Sequence, residues 1–179
     1  MGLIKTPNKT LESLAVTYFE RSQGNWKSQR RYYMLNQETE PQEVESILNV
    51  RYLDRGEPEL VELARLHKLE QLDLFVCGTV VTWSSNYQNS DRKPVKGSTI
   101  FGVAEDRMYR DRGFATSKPI VANYWLTNPD TLCLRTEYNG SVFEEEVKLV
   151  GQNYRTRQTI ISRAEQEITI GQYLETRIK

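Results

Sequence analysis

The rhythm of hydrophobic and polar positions divides this chain into two short helical stretches and a long series of alternating ones. Leu11, Leu14, Ala15, Tyr18 and Phe19 recur at i, i+3, i+4, i+7 and i+8, the spacing that lines up side chains along one helix face. Thr10 stands before them as an N-cap and Gly24 after them as a stop. Pro58 opens a second helical pattern reaching about His67, with Leu60, Leu63, Ala64 and Leu66 on its apolar side. Elsewhere the period is two, which predicts strands near 26–35, 44–53, 73–85, 97–104, 107–113, 119–127, 131–138, 141–150, 153–163 and 167–178. The connections are short apart from a polar loop across 86–96. Antiparallel strands in that number, joined mainly by hairpins, predict a mainly β protein closed into an up-and-down barrel with an N-terminal α-helix and one further short helix. Such a barrel can hold one small ligand. No repeat or linker interrupts the series, so residues 1–179 are read as one domain.

The stretch from Thr131 to Arg163 departs from a plain barrel wall. Asn139-Gly140 marks a two-residue type I′ turn, because both central residues of that turn need φ > 0. The turn sets Thr136 opposite Phe143 and Leu134 opposite Glu145. The next turn, around Gly151-Gln152-Asn153, sets Leu149 opposite Arg155 and Val147 opposite Arg157. One face then collects Leu132, Leu134, Phe143, Glu145, Val147, Leu149, Arg155, Arg157 and Ile161. The other carries Val142, Glu144, Glu146, Lys148, Tyr154, Thr156 and Gln158, a suitable outside. Charges on a core-facing side are expensive unless paired or supplied with a charged ligand. Two inward arginines near one inward glutamate point to a pocket for an elongated, partly apolar molecule with acidic groups. A one-residue slip in either turn sends the arginines to solvent instead.

Composition narrows the chemistry. Lys plus Arg and Asp plus Glu are 24 each in 179 residues, so no net field draws the chain to nucleic acid or an anionic membrane. No apolar run approaches a membrane span, and Met1 to Pro7 lacks the marks of a signal or transit peptide. The two cysteines, Cys77 and Cys133, lie far apart in apolar strand patterns and are expected as buried thiols in a cytoplasmic protein. A single histidine, His67, leaves no His-based metal site and no Ser-His-Asp or Cys-His machinery; no metal or cofactor is expected.

Further candidates follow from alternation. Phe75, Cys77, Thr79, Val81 and Trp83 share one face of the third strand, and Trp83 near its end is either a stacking wall for a planar ligand or a core tryptophan. A three-residue turn before the last strand places Glu175 opposite Arg155 and Tyr173 opposite Arg157, as ligand contacts or as a salt bridge that only closes the barrel. The other face of that strand, Ile168, Ile170, Leu174 and Ile178, is too apolar for solvent and calls for a cover, the N-terminal helix or another subunit. Arg107, Arg110, Asp111, Arg112 and Lys118 around Gly113-Phe114 read as a solvated hairpin or a partner-docking segment. Alternation splits Glu144, Glu145 and Glu146, so only Glu145 points inward.

Gly24-Asn25-Trp26 places a Gly-x-Trp at the entry to the first strand, as in lipocalin-like barrels, where the tryptophan closes one end under a late arginine; Arg177 suits that role. From Trp26-Lys27-Ser28-Gln29-Arg30 onward the chain resembles the S-type phycobiliprotein chromophore lyases (CpcS/CpeS/CpcU-like). The resemblance runs through Gly78-Thr79 to Trp83, Tyr109 to Pro119, Leu134 to Ser141, Tyr154 to Thr159 and Gln172 to Arg177, nearly the whole chain in order. It implies a ten-stranded lipocalin-like (fatty-acid-binding-protein-like) barrel. It implies that the protein binds an open-chain tetrapyrrole such as phycocyanobilin. The pigment would be attached by a thioether to a cysteine of an apo-phycobiliprotein subunit, phycocyanin or allophycocyanin, of the photosynthetic phycobilisome. The family's paired arginines fall on Arg155 and Arg157, implicated with the bilin propionates; its strand glutamate falls on Glu145, facing the pyrrole nitrogens. Trp83 is implied as the stacking wall and Glu175, beside Tyr173, as a further contact. Glu145 and Arg157 are the expected catalytic pair, with Glu145 sharing a proton with the tetrapyrrole.

Arg31-Tyr32-Tyr33 stands where some family members carry histidines, a form that resembles the branch working with a sister subunit. A homodimer or a heterodimeric lyase is therefore expected. The competing readings are a non-catalytic lipocalin-like bilin carrier and a partner subunit without activity of its own. The expected compartment is a cyanobacterial-type cytoplasm, or the plastid stroma for a plastid-encoded chain.

Overall fold

Thr10 caps the first helix. Its Oγ1 accepts the Ser13 amide at 3.1 Å, and α1 spans Leu11–Ser22. The structure is a computed structural model that describes residues 10–87, 91–164 and 166–179. The stretch from Met1 to Pro7 and residues 88–90 of the expected polar loop lie outside the described residues. The chain continues through β1 (Gly24–Met34), β2 (Gln42–Asp54), α2 (Pro58–Leu66), β3 (Cys77–Tyr87), β4 (Val95–Ala104) and β5 (Arg107–Arg110). It ends with β6 (Ile120–Asn128), β7 (Thr131–Tyr138), β8 (Ser141–Val150), β9 (Tyr154–Arg163) and β10 (Gln166–Ile178). Every neighbouring pair is antiparallel, and β1 pairs with β10 to close a barrel of ten strands. The expected architecture is the one observed.

Two apolar cores hold it. In the first, the inner faces of Trp26, Leu48, Val103, Met108 and Leu132 enclose Ala15, Tyr18 and Phe19 of α1. The helix contacts β2, β3, β4 and β6 and so plugs one end of the barrel. The second lies outside the wall, where Leu60 and Leu63 of α2 pack with Leu53, Phe75 and Ala104. Gly78 and Gly102 let α2 approach; a Cβ on either would strike Leu60 or Leu63. Here Phe75 departs from expectation. β3 starts only at Cys77, and Phe75 in the preceding segment turns to the outer core rather than to the lumen.

The registers of the last four strands follow from their turns. Asn139 and Gly140 both adopt positive φ, 52° and 75°, and Tyr138 pairs with Ser141. Leu134 then faces Glu145, Leu149 faces Arg155, and Val147 faces Arg157. Between β9 and β10, Gln166 pairs directly with Arg163, not across the expected three-residue turn. A register shift between Glu167 and Thr169 supplies the extra residue, so Glu175 still meets Arg155 and Tyr173 still meets Arg157. The outer face of β10 is not covered by α1, which occupies the barrel end; Leu174 and Ile178 remain exposed. Among the described residues no helix is long and apolar enough to cross a membrane.

Candidate functional site

The barrel lumen has a plugged half and an open half. At the plugged end Trp26 is fully buried, its indole Nε1 donating to the Ser22 carbonyl at 2.9 Å. The Arg177 guanidinium lies 4.2 Å from the ring centroid and donates to the Arg21 and Gln152 carbonyls, each at 2.8 Å, and to that of Gln23. The expected arginine-over-tryptophan closure is therefore present. Tyr18 completes the plug by donating to the Val147 carbonyl at 3.0 Å, and burial pushes its phenol up to about 12.

Above the plug a cavity of about 650 Å³ opens, lined by residues of most strands and by the β5–β6 loop. That volume lies within the ~300–1,000 Å³ usual for small-molecule sites. Arg155 and Arg157 both enter it, as the alternation of β9 predicts. Arg155 Nε and Nη2 donate to Glu175 Oε2 at 3.1 and 2.6 Å, and its guanidinium also lies 4.9 Å from the Trp26 ring. The Glu175 side chain is 0% exposed, and its Oε1 has no hydrogen-bond partner among the described residues. Arg157 Nε donates to Glu145 Oε1 at 3.1 Å, and Nη2 pairs with the same oxygen. This second pair is the wetter one, with the Arg157 side chain 22% exposed. Burial opposes the Arg157 charge, but the nearby Glu145 carboxylate outweighs it and holds the guanidinium above its ordinary value. Tyr173 lies under Arg157 at 5.3 Å and donates to the Tyr32 hydroxyl at 3.3 Å; burial raises its pKa.

Trp83 is brought to the same cavity by β3, opposite Leu48 and Gly97. Its indole lies directly over the Gly97 backbone, where a Cβ would overlap the ring. Arg155, Arg157, Tyr173 and Trp83 thus line the cavity, whereas Glu145 and Glu175 stand behind their arginines in the wall. Glu144 and Glu146 face outward, with Glu144 3.7 Å from Arg135 on the surface.

Two lumenal cations escape a reading of the sequence. Five arginines line the cavity: Arg30, Arg110, Arg112, Arg155 and Arg157. Three have carboxylate partners, Asp111 for Arg112, Glu175 for Arg155 and Glu145 for Arg157. Among the described residues Arg30 and Arg110 have no ion pair. Arg30 Nε donates to Ser28 Oγ at 3.2 Å, and its guanidinium lies 5.3 Å from the Tyr173 ring. Arg110 Nε donates to Thr99 Oγ1 at 3.0 Å. The charged segment around Gly113-Phe114 is a largely exposed loop and not a hairpin. β5 stops at Arg110, and the loop folds over the lumen with Phe114 stacked on Phe143, centroids 5.2 Å apart. The Tyr138 hydroxyl holds that loop by accepting from the Ala115 amide at 2.8 Å. The alternation Met108-in, Tyr109-out, Arg110-in was the available signal, and β5 is too short to display it.

Cys77 and Cys133 are buried free thiols, and burial pushes Cys77 up to about 12, away from thiolate reactivity. His67 is outside the barrel, its Nε2 within 2.9 Å of the Arg110 carbonyl. Among the described residues no cluster of His, Cys, Asp and Glu is fit to hold a metal ion. A second depression of about 710 Å³ over β1, β2 and β8–β10 is lined by Arg31, Glu43, Gln158 and Gln172 and shares Arg30, Arg157 and Tyr173 with the lumen; Arg31 and Glu43 are already paired. Arg31 and Glu43 are largely exposed, whereas Glu145, Arg155 and Glu175 of the barrel interior are buried, so the lumen is the candidate site.

Residues 15–178 match the model of the family described as CpeS-like protein. A Nostoc sp. protein with the provisional name phycocyanobilin lyase CpcS 2 is 54% identical over 93% of this chain and 92% of its own. A Picosynechococcus sp. protein provisionally named chromophore lyase CpcV is 52% identical over 94% of this chain and 84% of its own. In fold, the chain superposes on the S-type phycobiliprotein lyase CPES of Guillardia theta with a TM-score of 0.76, at 21% identity, covering 90% and 91% of the two chains. The chain belongs to the CpeS-like family.

Proposed function

We infer that this protein is a chromophore lyase that binds a free bilin such as phycocyanobilin and joins it to a cysteine of an apo-phycobiliprotein subunit. The observation that carries this reading is the lumen's surplus of positive charge: five arginines face it against three paired carboxylates. An open-chain tetrapyrrole is long and conjugated, with pyrrole N–H groups along one edge and two carboxylates. Aromatic walls suit its π system, arginines its acid arms, and an inward carboxylate its nitrogens.

The reaction is an addition. The acceptor's thiol sulfur bonds to the exocyclic carbon of the pigment's ethylidene group, and the double bond is replaced as the proton moves to the adjoining ring carbon. Nothing leaves and no oxidant is needed. The lyase contributes position, holding the bilin extended with its ethylidene end toward the acceptor. Glu145, oriented by Arg157, holds the pyrrole nitrogens and exchanges a proton with them as the thiol adds. Trp83 and Tyr173 flank the rings, and Arg155 with Glu175 supports the deep end of the site.

The uncovered Leu174 and Ile178 favour a subunit interface on β10, with a second copy or a sister lyase. A cyanobacterial-type cytoplasm, where apo-phycobiliproteins are made, suits this role. The test mixes the purified chain with phycocyanobilin and apo-phycocyanin. Colour on the acceptor that survives denaturation is the expected result. Reversible colour alone would make the protein a carrier, and transfer only on adding a sister chain would make it a partner subunit.

A further inference from the structure

Arg110 lines the cavity and, among the described residues, has no carboxylate within ion-pairing distance, although Glu145 and Asp111 act on it at longer range. It ends β5, and burial holds its guanidinium below its ordinary pKa. Its guanidinium carbon lies 4.9 Å from the Phe101 ring centroid and 5.0 Å from that of Phe114. Of its five N–H donors, Nε is satisfied by Thr99; the others have no hydrogen-bond partner among the described residues. Arg155 and Arg157 differ in this respect. A ligand carboxylate that took either one from its glutamate would leave Glu175 or Glu145 buried with its charge unopposed, which is unfavourable. A carboxylate that met Arg110 would displace no wall carboxylate.

Arg110 lines the main cavity, where its free donors can meet a ligand. Behind the main cavity a recess of about 10 Å³, room for no more than a water molecule, is lined by Arg110, Glu145, Phe101, Met108 and Thr136, which makes Arg110 and Glu145 neighbours in the wall; Arg157 grips Glu145. A pigment whose nitrogens approach Glu145 therefore has Arg110 beside it for a side arm. The two rings against Arg110 fix its plane, which favours a forked contact with a carboxylate over a diffuse attraction.

We propose that Arg110 seats a carboxylate arm of the bilin, while Arg155 and Arg157 remain bound to their glutamates. The inference rests on the lyase reading and refines it. It assigns the acid arm to β5 rather than to the β9 arginines that the family resemblance implicates.

The test compares phycocyanobilin with its dimethyl ester in absorbance titrations of the whole chain. The unaltered protein is expected to prefer the free acid. In Arg110→Gln the affinity for the acid falls about tenfold or more while affinity for the ester holds, so the preference collapses. Arg110→Lys keeps the charge but not the fork, and lowers the acid-to-ester ratio about two- to fivefold at constant ester affinity. That variant decides the matter if the glutamine variant does not fold. Acid and ester affinities falling together would assign Arg110 a packing role and overturn the proposal, as would unchanged ratios. Failure of the unaltered protein to take up either pigment would remove the lyase reading itself, and this inference with it.

Discussion

The plugged and open halves of the lumen are built from the same residue types and treat them in opposite ways. In the plugged half Arg177 spends its donors on three backbone carbonyls and covers Trp26, and Arg155 is tied to a Glu175 that is wholly buried. In the open half Arg157 shares one oxygen of Glu145, and Arg110 has a hydroxyl and two ring faces. The arginines of the plugged end are held by the protein, whereas at the open end Arg110 has no ion pair among the described residues and Arg157 stays partly open to solvent. Stability and ligand recognition should therefore separate along the barrel axis.

The largest effect expected is on folding. Glu175→Gln leaves the Arg155 charge buried without its carboxylate and costs about 3–5 kcal/mol, read by urea denaturation. A loss under 1 kcal/mol would mean the deep pair is not structural. Glu145→Gln is the contrasting change. With Arg157 partly open to solvent, folding loses only about 1–2 kcal/mol, but bilin transfer falls about 100-fold. Equal damage to folding from both glutamates would erase the distinction between the halves. A third change concerns shape. Gly97→Val displaces the Trp83 indole from its place over the backbone and lowers bilin affinity about tenfold, since a planar wall is lost as well as space. Unaltered titration would show that Trp83 does not border the pigment.

The smallest effect is a pH dependence outside the lumen. Burial lowers the His67 pKa, partly offset by its contact with the Arg110 carbonyl, so the folded state favours the neutral ring. The unfolded chain then binds more protons, and stability rises with pH. This contribution is present above the unfolded value of about 6.5 and is lost as pH falls through the lower folded value. Thermal melts at pH 7.5 and pH 5 should differ less in His67→Gln than in the unaltered chain. An identical pH response in both would remove His67 from the account.

How much of this was legible in the sequence depended on local rules. Asn139-Gly140 admits one turn, and that turn pins β7 to β8; Gly151 then carries the register to β9, which is why Glu145, Arg155 and Arg157 were placed correctly. Glu175 was placed correctly for a different reason, since a bulge near Ile168 stood in for the longer turn. Arg110 and Arg30 were not legible as site residues. Four residues of β5 between charged neighbours show no clear period, and Arg30 lies in a run of polar residues on β1. Nor does periodicity tell whether α1 covers a sheet face or plugs a barrel end. That choice is made by Tyr18 and Phe19 finding the lumen rather than the outer side of β10.

The claim that open-half charge serves a ligand is tested most directly by absorbance titration of phycocyanobilin into the unaltered chain and into Arg157→Ala. The replacement strips Glu145 of its cation and turns that part of the lumen acidic, against the pigment's own carboxylates. The account predicts a saturable spectral shift with the unaltered protein and at least a tenfold weaker one with the variant, which remains folded by circular dichroism. Superimposable titration curves would contradict it.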